Sequence, residues 1–180
     1  MLIGALIFTT LVIPPSKAAP NSTPKILKLL WSDEFSGKKG ALPSSKNWDY
    51  DIGNGYGWGN AELEYYTNKP ANISTDGKGK LVITANRISD QSGMAVNSTP
   101  EIERILQSCD ECQFTSAKIK TSRKLSFQYG RIEARMKVAP GEGTWPAFWM
   151  LGMNIAEETW PYCGEIDIFE GKGVDPRVVY

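Results

Sequence analysis

The chain has no histidine among its 180 residues. That absence excludes Ser-His-Asp and Cys-His nucleophilic catalysis and every metal site built on imidazole, leaving carboxylates as the acid–base groups. Net charge is absent too: 20 Lys and Arg balance 20 Asp and Glu. No basic surface for nucleic acid or for an anionic membrane is therefore expected. Cysteine is scarce, at Cys109, Cys112 and Cys163. No βαβ pattern precedes Cys109-Asp-Glu-Cys112 and no second ligand pair accompanies it, so redox and zinc chemistry recede. The readings left are a local disulfide, a bridge from either residue to Cys163, or a partner outside the chain. Sustained helical periodicity is lacking apart from the N-terminus and one turn at residues 101–106.

What is present begins with a leader. Residues 1–18 read as a secretory signal peptide: an apolar run over residues 2–13, then Pro14-Pro15 and the small-residue exit Ser16-Lys17-Ala18. The run is shorter than the roughly 20 apolar residues of a membrane span. Residues 19–180 suit one domain, and 41% apolar composition can fill a core. Sequons at Asn21, Asn72 and Asn97 agree with export, although Pro100 follows Thr99 closely.

Short strands separated by glycine-rich turns dominate the rest, which argues for an antiparallel sandwich. Leu81-Val-Ile-Thr-Ala85 is β-branched, and residues 114–121 alternate. Residues 129–138 alternate cleanly, with Ile132, Ala134, Met136 and Val138 on one face and Arg131, Glu133, Arg135 and Lys137 on a solvated one. Residues 144–151 form a continuous apolar run suited to a strand covered on both faces, with Pro146 at its start. Residues 86–113 are polar and irregular. Residues 51–60 hold four glycines beside Tyr56 and Trp58, aromatics suited either to local packing or to a sugar platform.

The chemistry concentrates in Glu165-Ile-Asp-Ile-Phe-Glu170. Like-charged carboxylates a few ångströms apart let one group hold a proton while another stays ionised. Glycosidic bond cleavage needs that pair of states. Strand alternation puts Glu165, Asp167 and Phe169 on one side and sends Glu170 with the isoleucines. An unpaired carboxylate in a core is costly, so a β-bulge returning Glu170 to the acidic face is expected.

Five stretches then resemble, in order, glycoside hydrolase family 16, and its laminarinase branch in particular. They are Trp31-Ser-Asp-Glu-Phe35, Trp58-Gly-Asn-Ala-Glu-Leu-Glu-Tyr-Tyr-Thr67, Tyr129-Gly-Arg-Ile-Glu-Ala-Arg135, Gly143-Thr-Trp-Pro-Ala-Phe-Trp-Met-Leu151 and Gly164-Glu-Ile-Asp-Ile-Phe-Glu170. The resemblance spans residues 25–180. It implies a concanavalin A-like β-jelly-roll sandwich whose concave sheet forms a glycan cleft, with β-glucan as partner, a monomer, and a secreted location. By the same resemblance Glu165 is the nucleophile, Glu170 the acid and then base, and Asp167 the residue between them that tunes charge and orientation. The retaining chemistry so implied goes with carboxyl groups about 5–5.5 Å apart. Trp145 and Trp149 resemble cleft aromatics, with core packing the plainer reading of Trp149, and Asn60 and Arg87 resemble cleft residues that bond glucose hydroxyls.

By the same resemblance, some members of the family hold a structural calcium using backbone near the position of Asp33-Glu-Phe35 and an aspartate near the family domain's C-terminus. No metal or cofactor is expected from the residues of this chain. Family domains run beyond the position of Tyr180, and Arg177-Val-Val-Tyr180 opens an apolar stretch and stops, so the domain is expected to be partial at its C-terminus. Two further functions fit the resemblance: a non-catalytic glucan-binding module, and a transglycosylase remodelling cell-wall glucan.

Overall fold

The computed structural model describes residues 27–90, 94–175 and 177–180. The chain divides into two units, Met1–Ser32 and Asp33–Tyr180. The expected signal peptide and the Asn21 sequon lie outside the described residues. The strands and the helix of the described residues all belong to the second unit.

Its elements are strands β1 (Asp49–Asp51), β2 (Glu64–Tyr66), β3 (Ile73–Thr75), β4 (Leu81–Ile83), β5 (Asn86–Arg87), β6 (Phe114–Ser116), β7 (Lys118–Lys120), β8 (Ala147–Leu151) and β9 (Glu165–Glu170). A 3-10 turn, Gly55–Gly59, and one helix, α1 (Pro100–Ser108), interrupt them. The strands pair as four small sheets: β1 with β7, β2-β6-β5, β3 with β4, and β8 with β9. All pairs are antiparallel except β2 with β6.

Local chemistry explains several of these elements. The β3–β4 hairpin turns at Asp76, whose Oδ1 accepts the backbone N–H of Lys78 at 2.7 Å and of Lys80 at 3.0 Å. Gly77 is required there: its φ is +76°, and a Cβ would sit 3.0 Å from the Lys39 nitrogen. Helix α1 opens on Thr99, whose hydroxyl accepts the Ile102 N–H, with Pro100 in the first turn and Glu101 and Glu103 at the positive end of the helix dipole. The helix extends the expected turn at 101–106 on both sides and lays Ile105 against Ile88, Cys109 and Cys112, flanked by Tyr65, Ile102 and Leu106. Cys109 and Cys112 form a local disulfide and Cys163 is free. That chooses among the three pairings the sequence left open.

A second buried knot is polar. Asn72 accepts from the Thr67 hydroxyl at 2.7 Å and donates to Thr84 O at 3.0 Å and to Thr115 Oγ1 at 3.1 Å. Its residue is 3% exposed. The Asn72 sequon therefore corrects to a structural asparagine, because its amide nitrogen is committed inside the fold. Asn97 is exposed.

Two strand expectations are also corrected. Residues 129–138 belong to no strand among the described residues. Alternation assigns faces, but a ladder needs a neighbour, and no described segment pairs with this one; Met136 and Val138 are exposed. Residues 147–151 do form a strand, but none of them is buried, because among the described residues their one ladder partner is β9.

Candidate active site

The register of β8 against β9 positions the acidic residues. Leu151 faces Glu165, Met150 faces Ile166 and Trp149 faces Asp167; then the register shifts, and Phe148 faces Phe169 and Ala147 faces Glu170. Ile168 is the extra residue. Leu151, Trp149 and Ala147 alternate along β8 and so share one face, and residues directly opposite share it with them. Glu165, Asp167 and Glu170 therefore line one face, and the bulge is what brings Glu170 there. The small side chain of Ala147 leaves that end open.

Each glutamate receives an indole N–H. Trp145 donates to Glu170 Oε1 at 2.6 Å, and Trp160 donates to Glu165 Oε2 at 2.6 Å. Trp145 follows the glycine turn at Gly141 to Gly143 and carries the Lys172 ammonium 4.7 Å from its ring centre. Trp160 sits in the loop between β8 and β9. The base of that loop is closed by the Gly152 N–H to Gly164 O at 3.3 Å, and Gly152 is obligatory because a Cβ would meet Cys163 O at 2.1 Å.

Trp149, half-buried opposite Asp167, joins a cage. The Lys118 ammonium lies 5.2 Å from its ring, 4.3 Å from Trp58 and 5.9 Å from Tyr66. Trp58 tilts against Tyr66 with ring centres 6.1 Å apart. Its indole nitrogen is buried without a hydrogen-bond partner among the described residues. So Trp58 packs, whereas Tyr56 is fully exposed. Burial, then the hydrogen bond that Tyr66 donates to Glu62 at 2.5 Å, push the Tyr66 phenol well above its usual range.

The remaining expected residues, Asn60 and Arg87, lie outside the β8–β9 hairpin. Asn60 is exposed and its backbone N–H closes the 3-10 turn onto Gly57 O at 2.8 Å. Arg87 lies on β5, donating through Nε to Ser89 O at 2.9 Å and packing over Phe114 at 5.9 Å. Sequence reasoning missed Lys118 and Trp160. One signal for Trp160 stood in the chain: Thr-Trp-Pro occurs twice, at Thr144-Trp145-Pro146 and at Thr159-Trp160-Pro161, at the two ends of the acidic hairpin.

For calcium, the side chains present do not fit. Among the described residues no three acidic or cysteine side chains are grouped so as to hold a metal ion. Desolvation pushes Asp33 up, but hydrogen bonds from Asn47, the Phe35 backbone and Trp48 outweigh it, holding its carboxyl below the usual range and occupying both oxygens.

The model of Glycosyl hydrolases family 16 matches residues 60–179. The chain is 39% identical over 155 residues to a β-glucanase of Rhodothermus marinus, covering 85% of this chain and 46% of that protein. It is 38% identical over 160 residues to glucan endo-1,3-beta-glucosidase A1 of Niallia circulans, covering 85% and 21%. Among solved structures, the laminarinase of Flavobacterium sp. UMI-01 is similar at 41% identity with a TM-score of 0.65, covering 84% of this chain and 55% of that one. The chain thus spans about half or less of the length of these relatives. The likeness carries the fold class, an all-β jelly roll, present among the described residues as small sheets without a closed barrel. With the family model covering two thirds of its residues, and with the acidic hairpin inside the matched span, this chain belongs to glycosyl hydrolases family 16.

Proposed function

We propose that the chain is the catalytic part of a secreted, monomeric, retaining endo-β-glucanase that cuts β-1,3 and mixed β-1,3-1,4 glucan. The observation that carries the reading is the bulged strand that sets Glu165, Asp167 and Glu170 on one face, with an indole N–H on each glutamate. The names of the relatives support the substrate class.

The chemistry runs in two displacements. A Glu165 oxygen attacks the anomeric carbon while the glycosidic C–O bond breaks and Glu170 gives its proton to the departing oxygen. Because Trp145 occupies Glu170 Oε1, the proton resides on Oε2, which fixes the direction of transfer. Glu170 then takes a proton from water as the water oxygen attacks the same carbon and releases Glu165. Asp167, between them in sequence and opposite Trp149, holds negative charge beside the carbon as its positive character grows. Trp145, 46% exposed, and Trp149 offer ring faces to pyranose C–H bonds. Asn60, Arg87 and Lys118 supply hydrogen-bond donors to sugar hydroxyls.

Reducing-sugar release from laminarin tests this reading. Hydrolysis by the chain that disappears in E165Q and in E170Q supports it, and near-normal turnover in either variant sinks the assignment. Tight laminarin binding without reducing ends would make the chain a glucan-binding module. Products longer than the substrate would make it a transglycosylase, with a sugar hydroxyl replacing water.

A further inference from the structure

We infer that Trp160 is a positioning residue for Glu165: its indole N–H selects which oxygen of that carboxylate attacks. The inference rests on Glu165 being the nucleophile. The Trp160 Nε1 to Glu165 Oε2 contact of 2.6 Å is the side-chain hydrogen bond Glu165 makes among the described residues. An indole has one N–H and accepts nothing, so it can only donate. A donor on Oε2 holds the carboxylate plane, keeps that oxygen occupied and leaves Oε1 free to form the new bond.

The loop is built to hold this donor still. Thr159 O accepts the Tyr162 N–H at 2.9 Å and Pro161 O accepts the Gly164 N–H at 3.0 Å, while Gly152 N–H to Gly164 O ties the loop to the end of β8. Trp160 is thereby pinned by main-chain bonds on its C-terminal side, five residues before its acceptor. The ring is 63% exposed. It is therefore not needed as core, and its contact with Glu165 is the interaction that its position serves.

The two Thr-Trp-Pro triplets now read as a pair. Trp145 enters the hairpin and serves Glu170; Trp160 leaves the loop and serves Glu165. Each carboxylate is oriented by a rigid donor at its own end of the same hairpin. Neither donor titrates, so the orientation persists through both halves of the reaction as the proton on Glu170 comes and goes.

Two readouts on the 180-residue chain test this. The first needs no activity: in chain labelled with 15N-tryptophan, the indole resonance that disappears in W160F should move with pH as a carboxylate titrates. Glu165 is accompanied by Asp167 and Glu170 on β9, by Glu157 and Glu158 in the loop and by the Lys118 cation over Trp149, so variants must separate them. The movement should survive in E170Q and vanish in E165Q. Persistence in E165Q, or no movement in the unaltered chain, overturns the inference. The second is kinetic: Trp160→Phe and Trp160→3-benzothienylalanine, an isostere that keeps the ring shape and replaces N–H by sulfur, should each lower kcat on laminarin tenfold or more with KM within twofold. Normal kcat in the isostere would assign the effect to ring shape and overturn the inference. Silence of the unaltered chain on laminarin would count against the glucanase reading alone, since the indole titration still decides the contact.

Discussion

Trp149 stands directly opposite Asp167 across the β8–β9 ladder, and one residue later the register slips. The place of Glu170 in the site depends on that slip. Without it Glu170 would face away from Glu165, because side chains alternate with period two.

Deleting Ile168 tests the bulge itself. The deletion restores a regular ladder, Glu165-Ile-Asp-Phe-Glu, in which strict alternation keeps all three carboxylates on one face. Laminarin hydrolysis should therefore survive the deletion, whereas adding Glu170→Gln to it should lower the rate by about 10²–10⁴-fold, the worth of a general acid. Loss of hydrolysis in the deletion alone would show that the bulge does more than set the face. Unchanged circular dichroism alongside would separate this from misfolding.

Removing the Trp145 donor should have a narrower effect. Trp145→Phe keeps a ring for the sugar and loses the N–H on Glu170 Oε1. Hydrogen bonds to charged groups are worth about 1.5–3 kcal/mol, and this one is part exposed, so a loss of about tenfold in kcat is expected. Aryl glucosides with acidic leaving groups need no proton, so with them the deficit should shrink toward zero.

Asn72 should behave as core. Its side chain makes three hydrogen bonds, two of them fully buried, and Asn72→Ala strands their partners. Urea unfolding should show a loss of about 2–4 kcal/mol. Expression through a eukaryotic secretory pathway should yield an unmodified Asn72 peptide by mass spectrometry.

Glu64 gives a pH test. Desolvation, then the neighbouring Glu62 charge, raise its carboxyl above the usual value. A raised carboxylate binds more protons folded than unfolded, so its contribution favours folding at low pH and declines as pH rises through the interval between the unfolded and folded values. Glu64→Gln should therefore stabilise the chain at pH 7, with the gain fading as pH falls through that interval and gone below the unfolded value. Chemical denaturation at several pH values measures it.

Of helix α1 only the turn at residues 101–106 was read from the sequence, and of the β3–β4 hairpin only the β-branched stretch Leu81 to Ala85, although the Thr99 cap and the Asp76 turn that complete them are local signals too. The acidic face was legible because a buried, unpaired Glu170 would cost too much for strict alternation to hold. The disulfide was open to three pairings, since spacing does not report which sulfurs meet.

Residue types alone set the class of chemistry. With no histidine and three carboxylates in six positions, acid–base work had to fall to Glu and Asp, and the order of motifs tied that work to one family. Whatever depends on neighbours distant in the chain was settled by the folded arrangement. Asn72 became a structural residue because Thr115, 43 positions away, accepts from it. Residues 129–138 kept an alternating pattern but gained no ladder, because pairing belongs to two segments and never to one. Lys118 reached Trp58, Tyr66 and Trp149 only once their strands had been laid together. Periodicity is written along one chain, whereas a partner is chosen in space, and for that reason the acids could be read from the sequence while the groups that orient them could not.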